Sequence, residues 1–453
     1  MKKILAALAM LCIATFTFAQ SNPVITSWLR NTTGIKGRHY VAGNPTPIND
    51  NYPANVQTVQ YSAGNVYISC SGIPAYIIGP YLDGNPSQGA NNNNIYKITQ
   101  NPVQNTGTLS PTTGGTIGVF INGVSLFDYR DGVSYKLSTG MNAGGPMGGM
   151  GDGVWNRDAV VAERTGFDCA KGHPAMGNYH HHQNPSAFNL DLNVISNVCD
   201  LYLADGLYVI DSTVHSPLLG FAYDGFPIYG AYAYKNTDGT GGITRMKSSY
   251  TLRNITVRTH YANGNDVTDG PPVNTNFPLG MYREDYQYNI TSDATPDFLD
   301  EHNGRFCVTP EYPNGIYCYF ATVNETWNSA YPYIVGPTFY GVKSVTRVTA
   351  INEPTTVFTG VTATNDHNDL DRANIQIYPN PSADLIIVQA KTMLEQSYTV
   401  ELADLNGKIV LNKDFPQGST ICHFETDTLY NGVYFLIVRD GHSCKTFKVV
   451  IDR

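Results

Sequence analysis

The amino-acid sequence predicts a mainly β protein, in which a large β-sandwich-like unit precedes a small immunoglobulin-like β-sandwich. Three observations lead to this fold class. Tyrosine is abundant, at 31 of 453 residues, and aromatic residues favour the pleated surface of strands. Glycine, at 43 residues, recurs between short apolar runs, as it does at turns. No long segment has apolar residues at helical spacing with a capping residue at each end.

Residues 1–19 have the pattern of an export signal peptide. Lys2 and Lys3 precede an apolar run over residues 4–18, which is too short to span a bilayer, and Ala19 is the small residue expected before a cleavage site. No later segment has the length of a membrane helix. We therefore expect a soluble mature protein that has no transmembrane segment and lies outside the cytoplasm.

The composition excludes one class of partner. Charged residues make up 14% of the chain, against about 25% in an average soluble protein. The formal net charge is −9, and no stripe of basic residues appears along the sequence. Because nucleic-acid binding requires a positive surface, the sequence predicts no nucleic-acid partner.

The chain divides into a large first unit, a linker and a small final unit. Over residues 20–342, short runs of strand-forming residues alternate with Gly, Pro and Asn, so we expect one β-rich unit. Within it, residues 141–153 form a Gly- and Met-rich loop. A plain surface connection is the favoured interpretation of this loop, and Met147 and Met150 as soft copper ligands are the alternative. Residues 343–373 lose the aromatic pattern, which indicates a linker.

Residues 374–453 are expected to form the small sandwich. Five runs of strand-forming residues lie in it, at residues 385–388, 398–402, 409–411, 433–438 and 447–451. The segment 404–408 contains Asn-Gly, the strongest short signal for a tight hairpin turn. This spacing of short strands is typical of a β-sandwich of about seven strands.

The chain has eight cysteines, of which Cys12 lies in the predicted signal peptide. An exported protein can form disulfides, and the odd number that remains leaves at least one thiol free, bound as a ligand or paired between chains. Proximity in the sequence suggests three pairs, which are Cys307 with Cys318 across a turn, Cys169 with Cys199, and Cys422 with Cys444. The sequence does not fix this connectivity.

Four of the 11 histidines lie close together, at positions 173, 180, 181 and 182. Neutral imidazole is the commonest protein ligand for transition metals. If residues 179–183 are extended, alternate side chains share a face, so His180 and His182 point one way and His181 the other. His173 lies upstream and could fold back as a third ligand. The pattern therefore predicts a mononuclear metal site of His173, His180 and His182, with His181 as a structural residue.

Three imidazoles with no obvious thiolate suit Zn²⁺ or Cu²⁺, which leaves the choice between zinc and copper open. Three protein ligands also leave a coordination position free, as a catalytic ion needs. Cys169 is near enough in the sequence to be a ligand, but an oxidising compartment favours a disulfide for it.

Three further segments, at residues 215–217, 220–230 and 300–305, carry ionisable residues that could converge on the histidines. Asp224 occupies a Gly-bounded turn, either as a carboxylate bonded to backbone amides or as a ligand, the partner of a ligand histidine or a catalytic base. In the segment 300–305, Arg305 could pair with Asp300 or Glu301, so a structural ion pair is as good an interpretation there as catalysis.

The final unit resembles the C-terminal type A sorting domain of the type IX secretion system. The matching residues are the opening 378–381, the turn residues Asp404, Asn406 and Gly407, the segment 429–434 and the final strand 445–450. The resemblance implies that the type IX machinery is a partner and that the protein crosses the outer membrane. It also implies that this domain is then removed, with release of the protein or its attachment to the cell surface. An ordinary adhesive β-domain is the alternative.

The large unit resembles the YHYH family of secreted bacterial proteins, which is named for a Tyr-His-Tyr-His motif. The matching segments are 172–174 with 177–182, then 220–230, then 300–305 with 309–317, and the likeness spans roughly residues 121–342. The sequence departs from the motif at His181, where the family has Tyr. This departure agrees with the alternation of side chains, because His180 and His182 are retained. The resemblance implies no particular reaction.

Three functions compete at this point. The first is a secreted metal-binding protein, catalytic or not, in which Asp224 is a base or the partner of a ligand. The second is a non-catalytic surface protein whose tyrosines and asparagines bind a glycan or another protein. The third, a metal-free hydrolase, is the weakest, because the Gly-x-Ser-x-Gly and His-Glu-x-x-His motifs are missing. The sequence does not identify the extracellular substrate or ligand.

Overall fold

The structure is a computed structural model that describes most of the chain. The described residues are 22–82, 87–145, 149–186, 206–208, 210–291, 295–344, 346–359, 375–391, 394, 397–404, 408–416, 419–439 and 444–453. The predicted signal peptide and Met147 lie outside these ranges.

Strands dominate the described residues, and the helices are short. The helices are α1 (Pro23–Thr26) and α2 (Ala159–Ala162), with 3₁₀ turns at Arg164–Gly166 and Arg283–Asp285. The strands are β1 (Lys36–Val41), β2 (Asn44–Pro53), β3 (Val56–Tyr61), β4 (Asn65–Cys70), β5 (Asn94–Thr99), β6 (Thr116–Phe120), β7 (Ser125–Phe127), β8 (Arg130–Lys136), β9 (Met141–Gly144), β10 (Asn156–Asp158), β11 (Gly172–Ala175), β12 (Asn178–His181), β13 (Leu218–Ala222), β14 (Pro227–Tyr229), β15 (Tyr232–Tyr234), β16 (Ile243–Arg245), β17 (Tyr250–Leu252), β18 (Tyr286–Tyr288), β19 (Gly304–Cys307), β20 (Ile316–Phe320), β21 (Arg347–Val348), β22 (Thr356–Val357), β23 (Gln376–Tyr378), β24 (Leu385–Gln389), β25 (Tyr398–Ala403), β26 (Ile409–Phe415), β27 (Ile421–Glu425), β28 (Gly432–Arg439) and β29 (Cys444–Ile451). The mainly β fold class predicted from the sequence is confirmed.

Two sheets share the main hydrophobic core of the large unit. One has the strand order β21-β5-β4-β3-β22, and the other has the order β11-β12-β7-β6-β13-β14-β20-β19. Val66 and Ile68 of β4 belong to the same buried cluster as Phe221 of β13 and Tyr319 of β20. Trp28, just after α1, lies against Phe221 with the ring centroids 5.4 Å apart. Because each sheet buries an apolar face against the other, the unit is sandwich-like, as predicted.

The large unit also contains smaller sheets. The strands β10-β8-β9 form a three-stranded sheet, and β1-β2, β15-β16 and β17-β18 form two-stranded sheets. A separate apolar cluster of Tyr135, Trp155 and Tyr282 belongs to this region. The chain runs directly from β10 into α2, so this sheet fixes where the short helix starts.

Part of the predicted linker belongs to the five-stranded sheet. Strand β21 pairs with β5, and β22 pairs with β3, so these two short strands form its edges. The amide of Phe358 also donates to the carbonyl of Val59 at 2.8 Å. We therefore propose that the large unit ends near Phe358 rather than at residue 342, with a shorter linker after it.

The final unit is a small β-sandwich, as predicted. Its two sheets have the orders β23-β24-β27 and β26-β25-β28-β29, which together make seven strands. Both sheets contribute to one apolar cluster, in which Ile386, Val400 and Leu436 are fully buried. The sequence analysis missed β23 and β27, and residues 405–407 of the predicted hairpin turn lie outside the described residues.

The predicted disulfide between Cys307 and Cys318 is not formed. Both residues are buried free thiols. Cys307 pairs with Ile316 across the β19–β20 ladder, whereas Cys318 pairs with Arg305. A cross-strand disulfide requires a close and well-oriented pair of Cβ atoms, and this register places the two cysteines diagonally instead.

The predicted disulfide between Cys422 and Cys444 is also wrong. Cys422 is a free thiol in β27, and β29, which begins at Cys444, belongs to the other sheet of the small sandwich. Cys199 lies outside the described residues, so its pairing with Cys169 stays a prediction.

A tight hairpin, β11–β12, forms one edge of the eight-stranded sheet. The strands are joined by Met176 and Gly177, whose φ angles are +51° and +85°. Two successive residues with positive φ are the signature of a type I′ turn, which matches the right-handed twist of paired strands. Gly177 adopts this conformation without a steric penalty, and Met176 is 98% exposed at the tip.

The carboxylate of Asp168 anchors the start of this hairpin to the protein core. It accepts hydrogen bonds from the backbone amides of Gly79 (2.8 Å), Ala170 (2.9 Å) and Gly172 (3.0 Å). The hydroxyl of Tyr179 in β12 donates a fourth, at 2.9 Å. Asp168 is fully buried, so it satisfies donors that water cannot reach.

Replacement of Asp168 by Ala is expected to destabilise the protein strongly. It leaves four buried donors without an acceptor, and we expect the free energy of unfolding to fall by about 3 kcal/mol or more in urea titrations. Asp238→Ala is the matched control, because Asp238 accepts from the amide and hydroxyl of Thr240 but is exposed. An equal loss in both variants would show that the anchor is no stronger than a surface turn.

Candidate metal centre

The β11–β12 hairpin brings the three predicted ligands together. His173 pairs directly with His180 across the hairpin, and His182 follows one residue after β12 ends. His180 and His182 therefore lie on one face, and His173 reaches them from the neighbouring strand. One ligand atom from each residue lies within 4.8 Å of the others, and all three side chains are buried.

The nitrogen atoms converge at separations that fit a coordinated ion. Nε2 of His182 lies 3.0 Å from Nε2 of His180 and 3.4 Å from Nε2 of His173. Nitrogen atoms bound at about 2.0–2.1 Å to one metal lie about 3.3–3.4 Å apart in a tetrahedron and about 2.9–3.0 Å apart at right angles. The two separations from His182 match these values, and the ligand atoms of His173 and His180 lie within 4.8 Å of each other.

The backbone fixes which nitrogen of two rings faces the centre. Nδ1 of His180 donates to the carbonyl oxygen of Asn178 at 2.9 Å, and Nδ1 of His182 donates to that of Asp128 at 2.6 Å. A carbonyl oxygen only accepts, so the neutral rings carry their protons on Nδ1 and present lone pairs at Nε2. Metal-binding histidines characteristically use their second nitrogen in this way.

Protonation of His180 is strongly disfavoured. Burial lowers the pKa of His180 well below its ordinary value, and the neighbouring charges of His182 and His173 would lower it further. Its Nε2 lone pair thus faces that of His182 at 3.0 Å, where two electron pairs repel unless a proton or a cation lies between them. The centre is arranged to accept a positive charge.

Aromatic side chains hold the histidine rings in place. Phe127 stacks on His180, with centroids 3.8 Å apart and planes at 20°. Phe167 meets His173 edge to face, with centroids 5.0 Å apart. Nδ1 of His173 has no hydrogen-bond partner within the described part of the chain, so packing and the hairpin register position this third ring.

Glu163 lies at the candidate centre, and the sequence analysis missed it. It follows α2 directly, and its Oε2 lies 3.2 Å from Nε2 of His173 and 3.3 Å from Nε2 of His182. Burial opposes ionisation, yet the close contacts with His173 and His182 hold the pKa of Glu163 well below its ordinary value. In turn, although burial acts in the opposite direction, Glu163 raises the pKa of His182.

His181 points away from the centre into the core, on the opposite face of β12. Its Nε2 lies 2.6 Å from the hydroxyl of Tyr76, and the ring of Phe120 meets it edge to face at 5.7 Å. Burial lowers the pKa of His181 to about 3, so the ring is neutral. It packs against Tyr179 of the same strand, at a centroid distance of 5.3 Å.

Asp224 is not brought to the histidines. It lies in the turn between β13 and β14, three strand spacings or about 14 Å from β12 in the sheet order. Its Oδ2 accepts from the hydroxyl of Tyr319 at 2.6 Å and from the amide of Gly341 at 2.8 Å. Burial raises the pKa of Asp224, and these donors oppose the shift. The contacts match the expectation of a carboxylate that stabilises a turn.

The segment 300–305 forms structural contacts as well. Arg305 donates to the backbone carbonyls of Tyr234, Lys235 and Pro296, so the predicted ion pair with Asp300 or Glu301 is not formed. The guanidinium instead joins three backbone segments, which a planar group with five donors does well.

Met150, the alternative copper ligand, is 80% exposed.

No helix among the described residues is long and apolar enough to cross a membrane.

The model of the YHYH protein family matches residues 95–332, which is more than half of the chain and contains the whole β11–β12 hairpin. The model of the secretion system C-terminal sorting domain matches residues 376–452. No curated protein matches the sequence.

These matches confirm both resemblances. The C-terminal match shows that the type IX secretion system handles the protein and that it is secreted or attached to the outer cell surface. The match over residues 95–332, together with the histidine hairpin that it contains, shows that the chain belongs to the YHYH protein family.

Proposed function

We propose that this protein is an extracellular metalloprotein whose ion is held by His173, His180 and His182. The observation that carries the proposal is the convergence of three buried imidazoles. In His180 and His182, backbone carbonyls accept from Nδ1–H, so Nε2 of each neutral ring has a free lone pair. Three buried imidazoles whose Nε2 lone pairs face one another carry an electrostatic cost unless a proton or a cation lies between them. A bound transition metal removes that cost.

Copper and zinc are the ions that the imidazole donors suit. When bound, such an ion would act as a Lewis acid or lower the pKa of a bound water, provided that a coordination position stays open. The protein fixes the rings through Asn178, Asp128 and two phenylalanines, so the donor geometry exists before the ion arrives. We propose metal binding as the function and metal-dependent catalysis as its extension.

The competing proposal, a tyrosine-rich surface that binds a glycan or a protein, has less support. Many tyrosines of the large unit are committed to the core. Examples are Tyr96, Tyr129, Tyr179, Tyr229, Tyr282 and Tyr319, which are almost completely buried. The abundance of tyrosine therefore reflects packing and internal hydrogen bonds more than an exposed binding surface.

The metal content of the purified protein tests the proposal. We expect about one transition-metal ion per chain in protein purified without a histidine tag, and near zero for the double variant His180→Ala with His182→Ala. His260→Ala is the control, because His260 is half exposed and, among the described residues, its ion-pair contact is with Asp266 at 3.5 Å. Elemental analysis gives the stoichiometry. Metal-free wild type, after incubation with Zn²⁺ and Cu²⁺, would reject the proposal.

Thermal unfolding with and without metal distinguishes a histidine that binds the ion from one that only stabilises the fold. At a free-ion concentration a thousand times the dissociation constant, the ion should stabilise the wild type by about 4 kcal/mol. His182→Ala should lose this metal-dependent gain. His181→Ala should lower stability in the absence of metal, because it loses the contact with Tyr76, and yet keep the full gain. Equal gains in both variants would show that His182 is not a ligand.

A further inference from the structure

We propose that Glu163 is a fourth ligand of this centre, and that its carboxylate consequently favours Zn²⁺ over Cu⁺. The inference rests on the proposed metal site and adds to it both a donor and a class of ion. Glu163 lies outside the histidine motif, ten residues before His173. Only the fold brings it to the three imidazoles.

The position of the carboxylate matches that of a ligand. Oε2 of Glu163 is 3.2 and 3.3 Å from Nε2 of His173 and of His182, and Nε2 of His182 is 3.0 and 3.4 Å from the other two Nε2 atoms. Donor atoms around one ion share such a common edge length. A carboxylate that acted on a metal-bound water would lie farther out by the width of that water.

Contacts at both ends of α2 fix the backbone that carries this carboxylate. Asp158 caps the helix by accepting from the amide of Val160 at 2.9 Å, and the hydroxyl of Tyr333 donates to Asp158 at 2.6 Å. The amide of Glu163 closes the helix by donating to the carbonyl of Ala159 at 2.8 Å. The side chain is only 26% exposed, so it is not a freely moving surface carboxylate.

Glu163 differs from the acidic residues near it in the partner of its carboxylate. Asp128 is paired with Arg130 at 2.7 Å, and the carboxylate of Asp131 is paired with Arg157. In the described part of the chain, the ion pairs of Glu163 are with His173 and His182 instead. A partly buried carboxylate without a guanidinium partner is stabilised by a positive charge beside it, and a divalent ion among neutral imidazoles supplies one.

A carboxylate changes which ion the centre prefers. Imidazole accommodates zinc and copper, whereas an oxygen donor favours harder divalent ions, and Cu⁺ favours thiolate and thioether sulfur. Glu163 also neutralises one charge of a divalent ion, and this gain is smaller for a monovalent one. Loss of the carboxylate should therefore weaken Zn²⁺ binding more than Cu⁺ binding.

Competition titrations with chromophoric chelators test this on the full mature chain. In Glu163→Gln, which has nearly the same shape, we expect the affinity for Zn²⁺ to fall at least about tenfold and the affinity for Cu⁺ by less than about threefold. The visible spectrum of the Co²⁺-loaded protein should also change, because one oxygen donor is lost. Glu301→Gln is the matched control, since Glu301 lies 3.7 Å from Nε2 of His302 but is 56% exposed, and it should alter none of these values.

The outcomes distinguish the two proposals. A wild type that binds neither ion would overturn the metal site itself. A wild type and Glu163→Gln that bind Zn²⁺ equally, with the same Co²⁺ spectrum, would overturn only the fourth ligand. Equal losses for Zn²⁺ and Cu⁺ would overturn the preference, because they would show a structural effect. Should Glu163→Gln fail to fold, Glu163→Asp, which keeps the carboxylate one methylene shorter, provides the same comparison of the two ions.

Discussion

The site depends on the register of one hairpin. Because β11 and β12 pair across a two-residue turn, His173 lies opposite His180, and the period of the strand places His182 on the same face. A shift of one residue would exchange His180 and His182 for Tyr179 and His181, and the centre would have two imidazoles instead of three. The positive φ angles of the turn fix that register, so local backbone geometry governs the chemistry.

The opposite face of the hairpin supports the same register with polar contacts. Tyr179 donates to Asp168, and His181 contacts Tyr76, so both of these side chains, which point away from the centre, have a buried partner. A slipped hairpin would leave these groups unpaired in the core, at a cost of about 1–3 kcal/mol each. The YHYH motif can therefore be understood as two alternating pairs. The histidines at positions 180 and 182 form the centre, and the residues at 179 and 181 hold the strand.

The sequence predicts what depends on local periodicity and misses what depends on tertiary contacts. Alternation along residues 179–183 is enough to group His180 with His182, and the small sandwich follows from its short strands and turns. Glu163 has no comparable signal, because an isolated Glu after a four-residue helix belongs to no spacing motif. The same limitation applies to the two edge strands inside the predicted linker, which form only by pairing with distant strands. It also applies to the cysteines, because cysteines that are close in the sequence lie diagonally across a ladder or in different sheets.

The chemistry of the donors suits the compartment to which the sorting domain directs the protein. Outside the cell, thiolate ligands are prone to oxidation and disulfide formation, whereas imidazole and carboxylate groups do not undergo these reactions. The free thiols Cys70, Cys307 and Cys318 are buried, and burial raises the pKa of Cys70 to about 12, which suppresses its thiolate. In addition, residues 163–182 contain all four proposed donors, so the centre forms from one short stretch of chain. Folding after export can thus assemble the site without thiol chemistry, and metal binding then stabilises the hairpin that presents it.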